Sequence, residues 1–282
     1  MGLFDRLSKG WTLGKTSLQT IQENPSLMLF PVISMTSLIL ITISFFTSGY
    51  FLFGEDIAAG NIDETLTNNI DVILYIAMFL FYLINYFIIV FFNVGLVHYA
   101  KMILEGKETS VSEGIQYATT RAGTILAWAS LAATVGIILK TIQERSGAIG
   151  SIIVSIIGMV WSIATFFVVP VIAYEDVNPI EAVKRSSLIM KEKWGESIGA
   201  NFSFGIFTLI GIICIALPTG YILGAMVNPI VGIAAGFIVF LLVQTAVSAA
   251  NMVFLTAAYQ HVNNEPTGHF EGDVLDDIFV QK

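Results

Sequence analysis

Six long apolar stretches, almost free of charge, alternate with short polar segments along the chain. They run from about 27–53, 72–97, 123–139, 148–173, 198–226 and 230–259. A helix needs about 20 apolar residues to cross a bilayer, with 17 to 25 the usual range, so each stretch predicts a transmembrane helix. Shorter segments between them place apolar residues at helical spacing opposite polar ones. Leu3, Phe4, Leu7, Trp11, Leu18 and Ile21 share one face, with Arg6 and Lys9 opposite. Val111, Ile115, Ala118 and Ala122 share another, with Glu113 and Gln116 outside it. Such segments predict amphipathic helices that lie in the membrane interface.

The fullest version of this layout is WSIATFFVVPVIAYEDVNPIEAVKRSSLIMKEKWGESIGAN, residues 161–201. An apolar span ends abruptly at Tyr174, Glu175 and Asp176. Asn178-Pro179-Ile180-Glu181 then predicts a helix start, with Asn at the N-cap, Pro at the first position and Glu at the third. Ile180, Val183, Met190 and Trp194 fall on one face, and Lys184 and Lys191 flank it. Leu188 and Ile189 do not fit that stripe, which predicts that one of them packs on protein.

Composition sharpens the membrane reading. Apolar residues make up 55% of the 282 residues and charged ones 12%, about half the usual ~25% of soluble proteins. The predicted class is all-α, a polytopic membrane bundle of six transmembrane helices with cytoplasmic interfacial helices, built as one domain over 1–262 with an acidic cytoplasmic tail over 263–282. In that tail Val274, Leu275, Ile278 and Phe279 form a small apolar patch. The net charge of −8 is unevenly spread. Gly54 to Asp71 reads as an acidic loop without a base. With a cytoplasmic N-terminus, eleven of the 13 Lys and Arg residues lie inside and only Lys140 and Arg145 outside. The excess of bases therefore predicts both termini in the cytoplasm. No basic surface for nucleic acid is present, so no nucleic-acid partner is expected. The first apolar stretch is too long for a cleaved signal and lacks a small-residue cleavage site.

Three units share one order, a short helix followed by a two-span hairpin, over 3–100, 110–174 and 179–260. Glu113-Gly-Ile and Glu181-Ala-Val echo each other, as do Asn93 and Asn251. Hairpins with basic inner loops also look alike without any repeat. Small residues at Gly220 and Gly224, Gly232 and Gly236, Ser151 and Ser155, and Gly195, Gly199 and Ser203 predict close helix contacts. Pro170 and Pro218 remove backbone donors, which predicts kinks nearby.

Candidate chemistry is sparse. No Asp, Glu, Lys, Arg or His lies near the middle of a span, which argues against proton-coupled transport. The candidate intramembrane polar contacts are Asn85, Asn93, Gln244 and Asn251. Convergence on a wet cavity would favour transport, and burial in pairs would favour structure. Lys184, Arg185, Lys191 and Lys193 are candidate lipid-headgroup contacts. His98, Glu175, Asp176 and His261 fall at span ends and would need to converge to make a metal or hydrolytic site. No HExxH, GxSxG, phosphate loop or dinucleotide fingerprint occurs. The single Cys214 reads as a packing residue. No catalytic residue, cofactor or metal is expected.

The runs RLSKGWTLGKTSLQTIQENPSLMLFPVIS (6–34), FFNVGLVHYAKMILEG (91–106), TRAGTILAWASLAATVG (120–136), WSIATFFVVPVIAYEDVNPIEAVKRS (161–186) and WGESIGANF (194–202) resemble a family of uncharacterised six-span prokaryotic membrane proteins, a domain of unknown function. The ending EPTGHF…LDDIF is similar to that family's tail. More distantly, PIEAVKRS and WGES are similar to membrane domains attached to some bacterial glycerophosphodiesterases. The resemblance implies fold and a plasma-membrane location, and carries over no catalytic residue. The expected role is non-enzymatic: a scaffold, accessory subunit or envelope factor that contacts membrane lipids and a protein partner or second copy. The alternatives are a carrier or channel for a neutral or lipidic substrate, and an interfacial lipid enzyme.

Overall fold

The computed structural model describes residues 3–59, 64–193, 199–268 and 270. The side chains of Trp194 and of Val274, Leu275, Ile278 and Phe279, and the small-residue site at Gly195, lie outside the described residues. The described chain is all-α. Helix α1 (Leu3–Glu23) leads through a 3-10 turn (Pro25–Met28) into α2 (Leu29–Ala59) and α3 (Glu64–Leu104). Then come α4 (Val111–Thr120), α5 (Ala122–Arg145), α6 (Gly147–Ala164) and α7 (Val168–Tyr174). Helix α8 (Pro179–Lys193) precedes α9 (Gly199–Gly211), a π-helical turn (Ile212–Ala216), α10 (Leu217–Met226) and α11 (Pro229–Val262). Among the described residues six segments are long and apolar enough to cross a membrane: Pro25–Leu52, Tyr75–Leu104, Ala122–Arg145, Gly150–Tyr174, Phe204–Met226 and Pro229–Val262.

Several helices outrun the stretches read from hydropathy. Helix α2 continues to Ala59 and α3 starts at Glu64, so the acidic segment after the first span is largely helical rather than a loop. Polarity ends the apolar phase, but a helix stops only where the backbone is interrupted. The polar run from Lys140 to Arg145, between the third and fourth apolar stretches, is likewise the last part of α5. The reversal falls at Gly147, whose φ of 60° suits glycine and strains other residues.

Both prolines lie just beyond a break. The fourth span is interrupted at 165–167, shortly before Pro170, and the π-helical turn immediately precedes the helix that contains Pro218. At the first break the backbone N–H of Phe167 leaves the helical ladder and donates to Ser186 Oγ on α8 at 2.9 Å. The N-cap read at Asn178 forms: its Oδ1 accepts the N–H groups of Ile180 and Glu181 at 3.1 and 3.0 Å, and Glu181 accepts from the N–H of Asn178. Ser110 and Glu113 make the same reciprocal cap on α4.

The three short helices pack in a ring. Each leads into its own hairpin yet lies against the hairpin before it. Helix α4 rests on α3, and α8 on α6 and α7. Helix α1 rests on α9 and α11 of the last hairpin and closes the circle. Gly95 and Gly114 allow α4 to approach α3 closely: a methyl on Gly114 would come within 2.8 Å of the Gly95 carbonyl. Trp11 of α1 stacks on Phe207 of α9 with centroids 4.4 Å apart.

Two expected faces shift. Among residues 11–23 of α1 the buried ones are Leu13, Gly14, Ser17, Thr20 and Ile21, whereas Trp11 is 44% exposed; the side chains of Leu3, Phe4, Arg6, Leu7 and Lys9 lie outside the described residues. The helix is wedged between neighbours, where small residues permit close approach. Ser17 and Thr20 satisfy their hydroxyls on the carbonyls of Leu13 and Thr16, so they can be buried cheaply. In α8 the buried stripe is Ala182, Ser186, Ile189 and Met190, while Ile180 and Leu188 are exposed. Ile189 is thus the residue that packs on protein.

The core sits at one end of the bundle, the end that carries α1, α4 and α8. It is built from Leu27 and Phe30, from residues 90–104 of α3, from α7 and from residues 249–259 of α11. The opposite halves of the hairpins expose residues such as Phe46, Phe51, Ile76, Ile156 and Phe237. Gly220 and Gly224 of α10 meet Gly232 and Gly236 of α11, as their spacing predicts.

Candidate functional site

At the core end, α3, α7 and α11 run side by side through His98-Tyr99-Ala100, Ala173-Tyr174-Glu175 and Ala258-Tyr259-Gln260, and each stretch carries a tyrosine. Tyr174 stands among rings from three helices. Its centroid is 6.2 Å from Tyr259, 5.8 Å from Tyr117 of α4 and 6.4 Å from His98. His98 and Tyr117 stack at 3.9 Å with planes 6° apart. Lys101 Nζ lies 4.4 Å above the Tyr174 ring, within cation–π range. The Tyr117 hydroxyl donates to the Ala173 carbonyl at 2.5 Å.

Charged groups clasp this aromatic cluster. Glu175 Oε1 accepts from Tyr259 Oη and Arg185 Nε, both at 3.0 Å. The second arm of Arg185 reaches Asn263 Oδ1 at 3.5 Å. Lys101 donates to Glu265 at 2.6 Å and lies 3.7 Å from Glu105. Helices α3, α7, α8 and α11 and the segment after α11 are therefore tied by two small charge networks. Charge-assisted bonds of this kind are stronger than neutral ones, and partial burial reduces their screening. Phe270 is buried beyond Glu265, which holds the segment after α11 across this end.

Four buried polar atoms on three side chains have no hydrogen-bond partner among the described residues. Gln260 is fully buried, and neither its amide oxygen nor its nitrogen is hydrogen-bonded. His98 Nδ1 and Asn251 Oδ1 are also buried and unbonded. A buried amide left unsatisfied costs on the order of 1–3 kcal/mol.

The chain belongs to DUF6159, a family of unknown function that matches residues 72–270. No curated relative matches. The DUF6159 region runs from the start of the second span to Phe270, so it contains the whole Tyr174 cluster and both charge networks.

The residues singled out from the DUF6159 sequence fall in separate places. Lys184 and Lys191 are exposed on α8. Arg185 is drawn inward to Glu175. Lys193 ends α8, and its side chain lies outside the described residues. Asn85 donates to the carbonyl of Phe81 one turn back at 2.6 Å. Asn93, Gln244 and Asn251 are half-buried, and among the described residues no hydrogen bond joins any two of the four. A large apolar groove of about 700 Å³ runs along α10 and α11, bordered by Ala216, Gly220, Gly224, Ile233 and Phe240. No group of three His, Cys, Asp or Glu placed to hold a metal occurs among the described residues, so His98, Glu175, Asp176 and His261 do not converge on one. Glu175 is committed to Arg185 and Tyr259, and Asp176 faces Arg121 at 3.7 Å.

Sequence reasoning missed Lys101, Tyr117, Tyr174, Tyr259 and Gln260 as a cluster. The only signal in the sequence was a tyrosine near the end of each second span, at Tyr99, Tyr174 and Tyr259.

Proposed function

We propose that the protein is a non-catalytic scaffold or accessory subunit of the prokaryotic plasma membrane, with both termini in the cytoplasm. The observation that carries this reading is the use of charge at the core end. Glu175, Arg185, Lys101 and Glu265 each join one helix or segment to another, so the polar groups brought together there hold the bundle instead of facing a substrate. The distribution of Lys and Arg supports the orientation. Lipid contact and a protein partner or second copy complete the proposal, with the exposed halves of the hairpins and the outer face of α8 as the available surfaces.

The experiment is gentle purification followed by native mass spectrometry. A bound lipid or protein that stays with the chain is expected. A bare, lipid-indifferent monomer would overturn the scaffold reading.

A second reading has one observation in its favour. The groove along α10 and α11 is apolar enough for an acyl chain, which suits a carrier of lipidic substrates. Lipid exchange between vesicles that depends on the protein would select it. The distant similarity to glycerophosphodiesterase-attached domains has no support among the family and relatives found, and no phosphodiesterase role is proposed.

A further inference from the structure

Helices α1, α4 and α8 occupy equivalent places in the ring, so each serves as a control for the other two. The outward side of α4 exposes Ser112, Glu113, Gln116, Thr119 and Thr120, a polar and slightly acidic surface suited to water. Residues 11–23 of α1 expose Thr12, Lys15, Gln19 and Gln22, with Trp11 as the one large apolar group exposed among them. Helix α8 differs. Ile180, Lys184, Leu188 and Lys191 recur at intervals of four, four and three residues and form one stripe. Ile180 is 60% exposed and Leu188 49%. Among the described residues neither lysine pairs with a carboxylate, unlike Lys101, Lys107, Lys140 and Arg185.

We infer that this outer stripe of α8 docks on the anionic headgroup layer of the bilayer, with Ile180 and Leu188 inserted and Lys184 and Lys191 on lipid phosphates. The inference rests on the scaffold reading and names the partner of its α8 surface. Helix α8 begins five residues after Tyr174, the last residue of the fourth span, which brings it to headgroup level. Apolar side chains alternating with lysines match that layer, because the lysine stems lie along lipid while the ammonium groups reach phosphate. Arg185 takes no part, since Glu175 and Asn263 hold it on the flank of the helix, away from the stripe.

The test uses the full chain in nanodiscs of phosphatidylcholine, with and without phosphatidylglycerol. On a Cys214→Ser background, an environment-sensitive fluorophore is attached at Leu188→Cys or, for comparison, at Gln116→Cys. The probe at 188 is expected to be quenched by headgroup-level spin-labelled lipid once phosphatidylglycerol is present, and the probe at 116 to stay in water. In native mass spectrometry, Lys184→Ser and Lys191→Ser should each weaken phosphatidylglycerol retention about fivefold, and together about 25-fold. Lys107→Ser, on the same side but paired with Glu105, should leave retention unchanged. The inference fails if 188 is as wet as 116 in both lipids, or if the double variant retains phosphatidylglycerol like the wild type. It also fails if 188 is shielded in phosphatidylcholine alone and cross-links to a second copy. Failure of the scaffold reading has a different signature: protein-dependent lipid exchange with the α8 result intact.

Discussion

Ser186 accepts the backbone N–H of Phe167 at 2.9 Å, with Ser186 itself fully buried. The break that precedes Pro170 frees this N–H, and a hydroxyl from a helix 19 residues along the chain receives it. A flaw inside a membrane span thus becomes the docking point for α8. Ser187 beside it bonds chiefly to its own helix, at 2.7 Å from the Val183 carbonyl and 3.4 Å from that of Ala164.

Ser186→Ala should destabilise the protein by about 1–3 kcal/mol, because it leaves a buried donor without an acceptor. Ser187→Ala should cost clearly less. Thermal unfolding in detergent, followed by far-ultraviolet circular dichroism, compares the two. Equal midpoints would show that the Phe167 N–H does not depend on Ser186.

Glu175→Gln and Arg185→Ala should not be additive. Both groups meet at one carboxylate oxygen and are only partly exposed, so a coupling of about 1 kcal/mol is expected in a double-mutant cycle. Tyr259→Phe should add a smaller loss through the same carboxylate. A coupling indistinguishable from zero would reduce the network to a surface ion pair.

A methyl group on Gly236 would lie 3.2 Å from the Cα of Gly220, while one on Gly158 meets nothing within 4 Å. Gly236→Leu should therefore force α10 and α11 apart and cost about 1–3 kcal/mol. Gly158→Leu should be close to neutral. Disulfide cross-linking of cysteine pairs across the α10–α11 hairpin would register the separation directly.

Gln260→Leu keeps most of the side-chain volume and removes two buried polar atoms that have no partner. It should raise the unfolding midpoint, by an amount equivalent to roughly 1 kcal/mol. A lower midpoint would mean that a water molecule or small polar ligand satisfies the amide.

Orientation can be read with single cysteines introduced at Glu108, Gln143 and Asn264 in the Cys214→Ser background. A membrane-impermeant thiol reagent applied to whole cells should label position 143 and spare 108 and 264. The reverse pattern would invert the proposed topology.

Local sequence determined much of this protein. Apolar length alone predicted six membrane helices, because a span must satisfy its backbone internally and present apolar side chains for about 20 residues. The cap at Asn178 was legible for the same reason, since it is a contact between residues three apart; Asn228, whose side chain accepts the Val231 N–H at 2.9 Å, caps α11 in the same way. The glycine pairs of α10 and α11 were legible because a hairpin brings them together by adjacency.

Tertiary structure decided what adjacency does not reach. The hydropathy pattern of α8 pointed to Ile180, Val183, Met190 and Trp194 as its apolar face. Within the bundle Ser186 faces inward and accepts the Phe167 N–H, and Ile180 and Leu188 face outward beside Lys184 and Lys191. The same holds for α1, where the neighbours α9 and α11 select the small residues Gly14, Ser17 and Thr20 over Trp11. Tyr117, Tyr174, Tyr259 and Lys101 are far apart in sequence, and only the convergence of α3, α7 and α11 makes them one cluster. Periodicity reports which residues are apolar. Which face is buried depends on what the helix meets, and that is a property of contacts between segments remote in the chain.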